Sequence, residues 1–291
     1  MKFVGYEEKY KQGLLACLKR NVARFCKFTD EELYQWLHLM LDYPWIDSID
    51  PERYPYRRGV ILLDDSGCVS GFSGAIYSRQ RISGHELTVV NPALSLTDKI
   101  YKYYFFELYD RIINSADVVY DVTPNENSVV TTRTLYNAAI IDNPSYLFKP
   151  AAISTEGFYM NCDIQDEHSR AVMRDHMGCG LKCVHIGLEN DGTDVFFNRI
   201  SEVGHHPISA ICVLEVNNPD FFRRYFNVCA CLLSEMGQEY LTTDSRYVDM
   251  AQLPAQYEVY PWRRAVINSP VPEAYSFLYT EFVLLLRDCY W

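Results

Sequence analysis

The sequence predicts an α/β protein of two successive domains, residues 1–150 and 151–291, each a mixed and mostly antiparallel sheet flanked by helices. Three observations carry that expectation. Helical stripes alternate with short apolar runs, a strand pair with a turn signal occurs in each half, and two landmarks repeat at nearly one spacing.

The elements follow in order. Residues 7–24 place Tyr10, Leu14, Leu15, Leu18 and Val22 on one helical face. Thr29, with Glu32 three residues on, forms a capping box ahead of a second stripe of Leu33, Trp36, Leu37, Met40 and Leu41. Pro44, Pro51 and Pro55 then hold a loop. From Gly59 the period changes. GVILLDDSGCVSGFSGAIYS reads as two apolar strands about a DDSG turn, and HELTVVN as a third strand. After Asn91 and Pro92 comes a short loop, then a helix carrying Tyr101, Tyr104, Phe105, Leu108 and Ile112. DVVYDV is a further strand, and TPNENS leads into a helix ending near Leu135 and Tyr136. Strands that are both hairpin-linked and helix-linked make a mixed sheet.

The second half repeats this order. Gly192 in GLENDGTDVFF lies 125 residues after Gly67 in LLDDSGCVSGF, and Asn218-Pro219 in LEVNNP lies 127 residues after Asn91-Pro92 in TVVNP. The helix that follows has Pro219 just inside its start, Phe222, Tyr225, Phe226, Cys229, Leu232, Leu233 and Met236 inward, and Gly237 past its end. EYLTTDS then matches VVYDVTP.

Charge and composition exclude several classes. Lys and Arg number 27 against 38 Asp and Glu, a net charge of −11, which argues against nucleic acid as a partner because phosphate binding needs a basic face. No stretch approaches the roughly 18 apolar residues of a membrane span, and MKFVGYEEKYKQ lacks the apolar core of a secretory signal. The expectation is a cytoplasmic protein with no membrane partner, its ten cysteines reduced.

A hairpin, a strand whose end opens a helix, then a strand and a helix ending in LY together resemble the GNAT superfamily of acyl-CoA-dependent acyltransferases. The doubled order is similar to its tandem members, the FemX-like and mycothiol-synthase-like enzymes. GVILLDDSGCVSGFSGAIYS, TVVNP and the closing LYTEFVLL resemble GNAT-like proteins associated with bacterial polysaccharide synthesis. The resemblance implies two GNAT-like domains. It implies acetyl-CoA or another acyl-CoA as donor, an amine or hydroxyl of a sugar or small molecule as acceptor, and no metal.

The resemblance also implies a set of site residues. A thioester donor with a pyrophosphate needs a gap between splayed strands and backbone N–H groups at a helix start, where the dipole favours anions. NPALSLTDKIYKYY occupies that place, with Lys102 at the basic position and Tyr103 and Tyr104 where small residues usually lie. Backbone N–H groups of Val89, Val90 and Asn91 are the oxyanion donors. Asn127 lies beside the cofactor tail, or else caps a helix in PNENS. Tyr136 in TLYNAA protonates the leaving thiolate, or else is a packed helix aromatic. Glu86 is the general base if it faces the cleft, with His85 as its alternative, because alternation sends only one of them inward; the plainer reading of Glu86 is a solvated strand residue. Asp98 caps the helix start but repels a pyrophosphate there.

No glycine occurs between Gly84 and Gly157, so the rival reading is a catalytically inactive GNAT-derived binding or regulatory module. A third, an aminoacyl-tRNA-dependent transferase, conflicts with the acidic balance. His176, Cys179, Cys183 and His185 follow no recognised zinc spacing.

Overall fold

The computed structural model describes residues 1–124, 126–203, 206–272, 275–280 and 283–284, without the side chains of 127, 202, 203, 206 and 207. It falls into two compact units. The first comprises Met1–Ile141 with Arg264–Tyr275 and Tyr279–Leu284, and the second comprises Asp142–Arg263 with Ser276–Leu278 among the described residues. The junction thus stands at 141/142 rather than after 150, and the chain returns to the first unit near its end.

In the first unit, β1 (Lys2–Gly5) precedes α1 (Lys11–Asn21) and α2 (Asp30–Leu41). The capping box forms as read, with Thr29 N–H donating to Glu32 Oε2 at 2.8 Å and Glu32 N–H donating to Thr29 Oγ1 at 3.2 Å. The hairpin also forms, as β2 (Val60–Leu63) and β3 (Val69–Ile82) about a turn in which Gly67 takes φ +82°. Next come β4 (His85–Thr97), α3 (Phe105–Ile113), β5 (Val118–Asp121), α4 (Glu126–Tyr136) and β6 (Ala139–Asp142). One correction concerns Asn91-Pro92: no loop follows them, and β4 runs five residues past Pro92, to Thr97. Proline is tolerated because its pairing with β3 continues while pairing with β5 has already ended, so one flank needs no donor.

The second unit holds β7 (Ser145–Phe148), β8 (Phe158–Asn161), α5 (Glu167–Asp175), β9 (Lys182–Leu188), β10 (Asp191–Val203) and β11 (His206–Val216). The helix expected from Pro219 is broken at Tyr225 into α6 (Pro219–Arg224) and α7 (Phe226–Ser234). β12 (Tyr240–Asp244), β13 (Tyr257–Tyr260) and β14 (Arg263–Ile267) follow.

Two seven-stranded mixed sheets result, ordered β1-β2-β3-β4-β5-β14-β6 and β8-β9-β10-β11-β12-β7-β13. The two orders match place for place. In each, β4 with β5 or β11 with β12 forms a parallel pair, and the neighbouring ladders are antiparallel. The sixth place in the first sheet is filled by β14, which follows all the strands of the second sheet in sequence, and in the second sheet by β7, which precedes that sheet's other strands. One face of the first sheet buries Val60, Leu62, Ala75, Tyr77, Val90 and Val119 against Leu108, Tyr109 and Ile112 of α3. In the second, Val184, Ile186, Val195, Phe197 and Ile211 do the same against Phe222, Phe226, Cys229 and Leu233.

Candidate active site

The first sheet opens where β4 leaves β5. The two strands match only at Val89 with Val118 and Val90 with Val119. Four residues past the last match, β4 bulges. Ser73 faces Ser95 and Gly74 faces Ala93, which leaves Leu94 as the extra residue, with φ +49°. An alkyl side chain in the left-handed region costs about 1–2 kcal/mol, and the bulge bends its strand away from its former line. Gly74 makes the bulge possible, since a Cβ there would lie 2.5 Å from the backbone oxygen of Ala93. The second sheet carries the same device. β11 matches β12 over Ala210–Val213, and Leu214 is then extra between Val213 and Glu215. The bulges at Leu94 and Leu214 are 120 residues apart, so Asn218, which caps α6, corresponds to Asp98 and not to Asn91.

The sequence-derived residues distribute unevenly about this split. Val89 and Val90 lie in the ladder, buried. Asn91 is the first residue past it, and its side-chain amide donates to the Tyr120 carbonyl on β5 at 2.5 Å, tying the two strands together at the base of the opening. Lys102 and Tyr103 stand exposed on the 3₁₀ turn Lys99–Tyr104 that joins β4 to α3, with the Lys102 ammonium 5.2 Å from the Tyr103 ring centre. Tyr104 packs on Phe3 at 6.2 Å. Asp98 makes no cap. Its carboxylate accepts from Arg20 Nη2 at 2.8 Å and Asn21 Nδ2 at 2.7 Å, so the repulsion expected of its charge is answered by an arginine. The side chain of Asn127 lies outside the described residues.

Glu86 and its alternative His85 are both exposed at the far end of β4. Glu86 reaches Arg79 at 3.4 Å and lies eight residues before Leu94, about 26 Å along a strand. Neither is brought to the split. Tyr136 ends α4, donates its hydroxyl to Asp110 of α3 at 2.8 Å and sets its ring 6.1 Å from Tyr109. Burial first, and then the bond to Asp110, hold its phenol above the ordinary value.

Two residues the sequence reading passed over stand at the split. Asp121 ends β5 and is only 6 % exposed. Burial pushes its carboxyl up to about 7, against the opposing pull of the Tyr109 hydroxyl, the Thr123 N–H and the Arg264 charge. Tyr109 donates to Asp121 Oδ2 at 3.0 Å. The available signal was a carboxylate closing the apolar run VVYD, a place where solvation is lost.

In the second unit, the corresponding region holds charged groups. Burial raises the carboxyl of Glu215, which accepts from Ser276 Oγ, and Asp244 binds Arg246 Nε at 3.0 Å. The histidine and cysteine set is dispersed. His176 bonds the carbonyls of Val172 and Leu278, His185 pairs with Asp194 at 2.8 Å, and Cys179 and Cys183 are buried. Among the described residues, no three His, Cys, Asp or Glu converge on a common point.

Solved structures share this architecture. A GCN5-related N-acetyltransferase from Kribbella flavida aligns with 92% of this chain and 72% of its own, at TM-score 0.55 and 10% identity. One from Anabaena variabilis aligns with 91% and 72%, at TM-score 0.53 and 12% identity. The fold is that of the GCN5-related N-acetyltransferases. At such identity the likeness extends to the fold alone, and no known family model or curated protein matches the sequence. Two mixed sheets of one strand order suit a tandem arrangement of the GCN5-related N-acetyltransferase fold. Among the described residues, no helix is long and apolar enough to cross a membrane.

Proposed function

We propose that the protein is an acyl-CoA-dependent acyltransferase whose donor site is the β4–β5 split of the first unit. It moves an acetyl or other acyl group to an amine or hydroxyl of a sugar or small molecule. The observation that supports this most is the split itself. Two parallel strands part after two matched residues and bulge at Leu94, and a carboxyl that titrates near neutrality sits at the end of β5.

A base is most effective when it titrates near the working pH, which favours Asp121 over the solvated Glu86. In this reading the acceptor N–H or O–H gives its proton to Asp121 as the nitrogen or oxygen bonds to the acyl carbon. The carbon–sulfur bond breaks, and the departing thiolate takes a proton from Tyr136 as that hydroxyl turns from Asp110. The backbone N–H of Asn91, the first residue past the ladder that holds Val89 and Val90, faces the carbonyl oxygen, and Lys102 with Tyr103 meets the donor's phosphate end. The proposed setting is the cytoplasm, without nucleic acid, membrane or metal.

Titration calorimetry with acetyl-CoA and longer acyl-CoAs tests this. The expected result is saturable heat and a thermal shift. Neither signal at millimolar donor would remove the reading. Two observations favour a second reading, a GNAT-derived binding or regulatory module without catalysis: the turn after β4 carries aromatic residues in place of glycine, and Asn91 bridges the split. Donor binding without turnover on any amine or sugar panel would select it.

A further inference from the structure

We propose that Tyr109 and Asp110, adjacent on α3, form a clamp of two positioning residues, Tyr109 holding Asp121 and Asp110 holding Tyr136. This rests on the transferase reading and deepens it.

Neighbours on a helix point about 100° apart, so consecutive side chains serve different surroundings. Tyr109 points into the core, 4 % exposed, and donates to Asp121. Its ring stacks on Phe105, 6.3 Å away and 9° from parallel, and lies 6.1 Å from Tyr136, so the ring is held on two sides while the hydroxyl donates to Asp121. Asp110 is exposed and accepts from the Tyr136 hydroxyl at 2.8 Å. One rigid turn of helix therefore fixes both groups to which we assign proton transfer. The groups acting on Asp121 are Tyr109 from α3, the Thr123 N–H beyond β5, and Arg264 from β14. Those acting on Tyr136 are Asp110 and the burial of its own ring.

The clamp predicts two separable effects. Tyr109→Phe removes a donor to the charged carboxylate, so the Asp121 midpoint rises by about one pH unit, read by carbon NMR of the labelled carboxyl. The acidic limb of kcat/KM moves up with it, with KM for the donor unchanged. Asp110→Asn lowers kcat about tenfold, and the Asp110→Asn/Tyr136→Phe double variant is no slower than Tyr136→Phe alone.

A Tyr109→Phe protein whose carboxyl midpoint stays put overturns the clamp. So does one whose midpoint moves while the rate profile does not, or a double variant that loses the product of the two single losses. A wild type that neither binds nor turns over acyl-CoA removes the transferase reading instead, and the carboxyl titration then decides the clamp alone. Should Tyr109→Phe fold poorly, 3-fluorotyrosine at position 109, a stronger donor, must move the midpoint the opposite way.

Discussion

Asp121 places a buried carboxyl at the end of a strand, and its protonation bears on stability as well as chemistry. Unfolded, the group ionises near 4; folded, burial holds its proton up to about 7. Between those limits the folded chain binds one more proton than the unfolded one, so stability falls as pH rises through that window and then levels off. Asp121→Asn removes this dependence. Denaturant unfolding is expected to show the variant gaining roughly 2–4 kcal/mol relative to wild type between about pH 4 and pH 8. An unchanged difference across that range contradicts the assignment. At this scale the sequence was partly legible. The Thr29–Glu32 box depends on neighbours three residues apart, and it formed as read. Glu86 could not be placed, since strand alternation gives a face but not a position along the sheet. Asp121 escaped notice because its desolvation arises from α3 and β14, both distant in sequence.

Among elements, β4 shows how a local rule yields to a longer one. Asn91-Pro92 is an ordinary loop signal, yet twelve of the thirteen residues of β4 pair with β3 straight through it, all but the bulged Leu94. The helix patterns were better guides: Leu108 and Ile112 are buried on α3 as their spacing required, and Phe222, Phe226, Cys229 and Leu233 are buried as read although Tyr225 breaks the helix. Two substitutions test element-level claims. Thr29→Ala removes the cap of α2 and is expected to lower stability by about 1 kcal/mol with donor affinity unchanged, measured by urea melts and calorimetry. Gly74→Ala drives a methyl into the Ala93 carbonyl, so β3 and β4 must shift. Stability is expected to fall by roughly 1–3 kcal/mol and donor affinity with it, since the bulge at Leu94 depends on that approach. Unaltered donor affinity in a folded Gly74→Ala protein would detach the bulge from binding.

For the whole molecule, the two sheets share one strand order, while both landmarks read as a repeat are out of register, since Gly67 lies in its hairpin turn and Gly192 already within β10. The hairpins and the VVYD and YLTTD strands correspond, whereas Asn218 matches Asp98 through the bulges and not Asn91. The exchange of β7 and β14 had no sequence signature, because strand pairing partners are set by long-range closure and not by residue pattern. A cut at residue 150 would leave the first sheet without the strand between β5 and β6, and the second without the one between β12 and β13. Residues 1–150 alone are expected to give poor chemical-shift dispersion and no cooperative melt. Both fragments together are expected to recover the wild-type spectrum, and a sharp melt from 1–150 alone would refute this.

Crossing over also sets a timetable for synthesis. β5 is made early, but its neighbour β14 lies some 140 residues later, a wait of roughly 7–30 s at ordinary translation rates. Throughout that interval the Val119–Asp121 flank has an open row of amides and carbonyls, so a nascent chain of this protein calls for a guardian on the ribosome until β14 emerges.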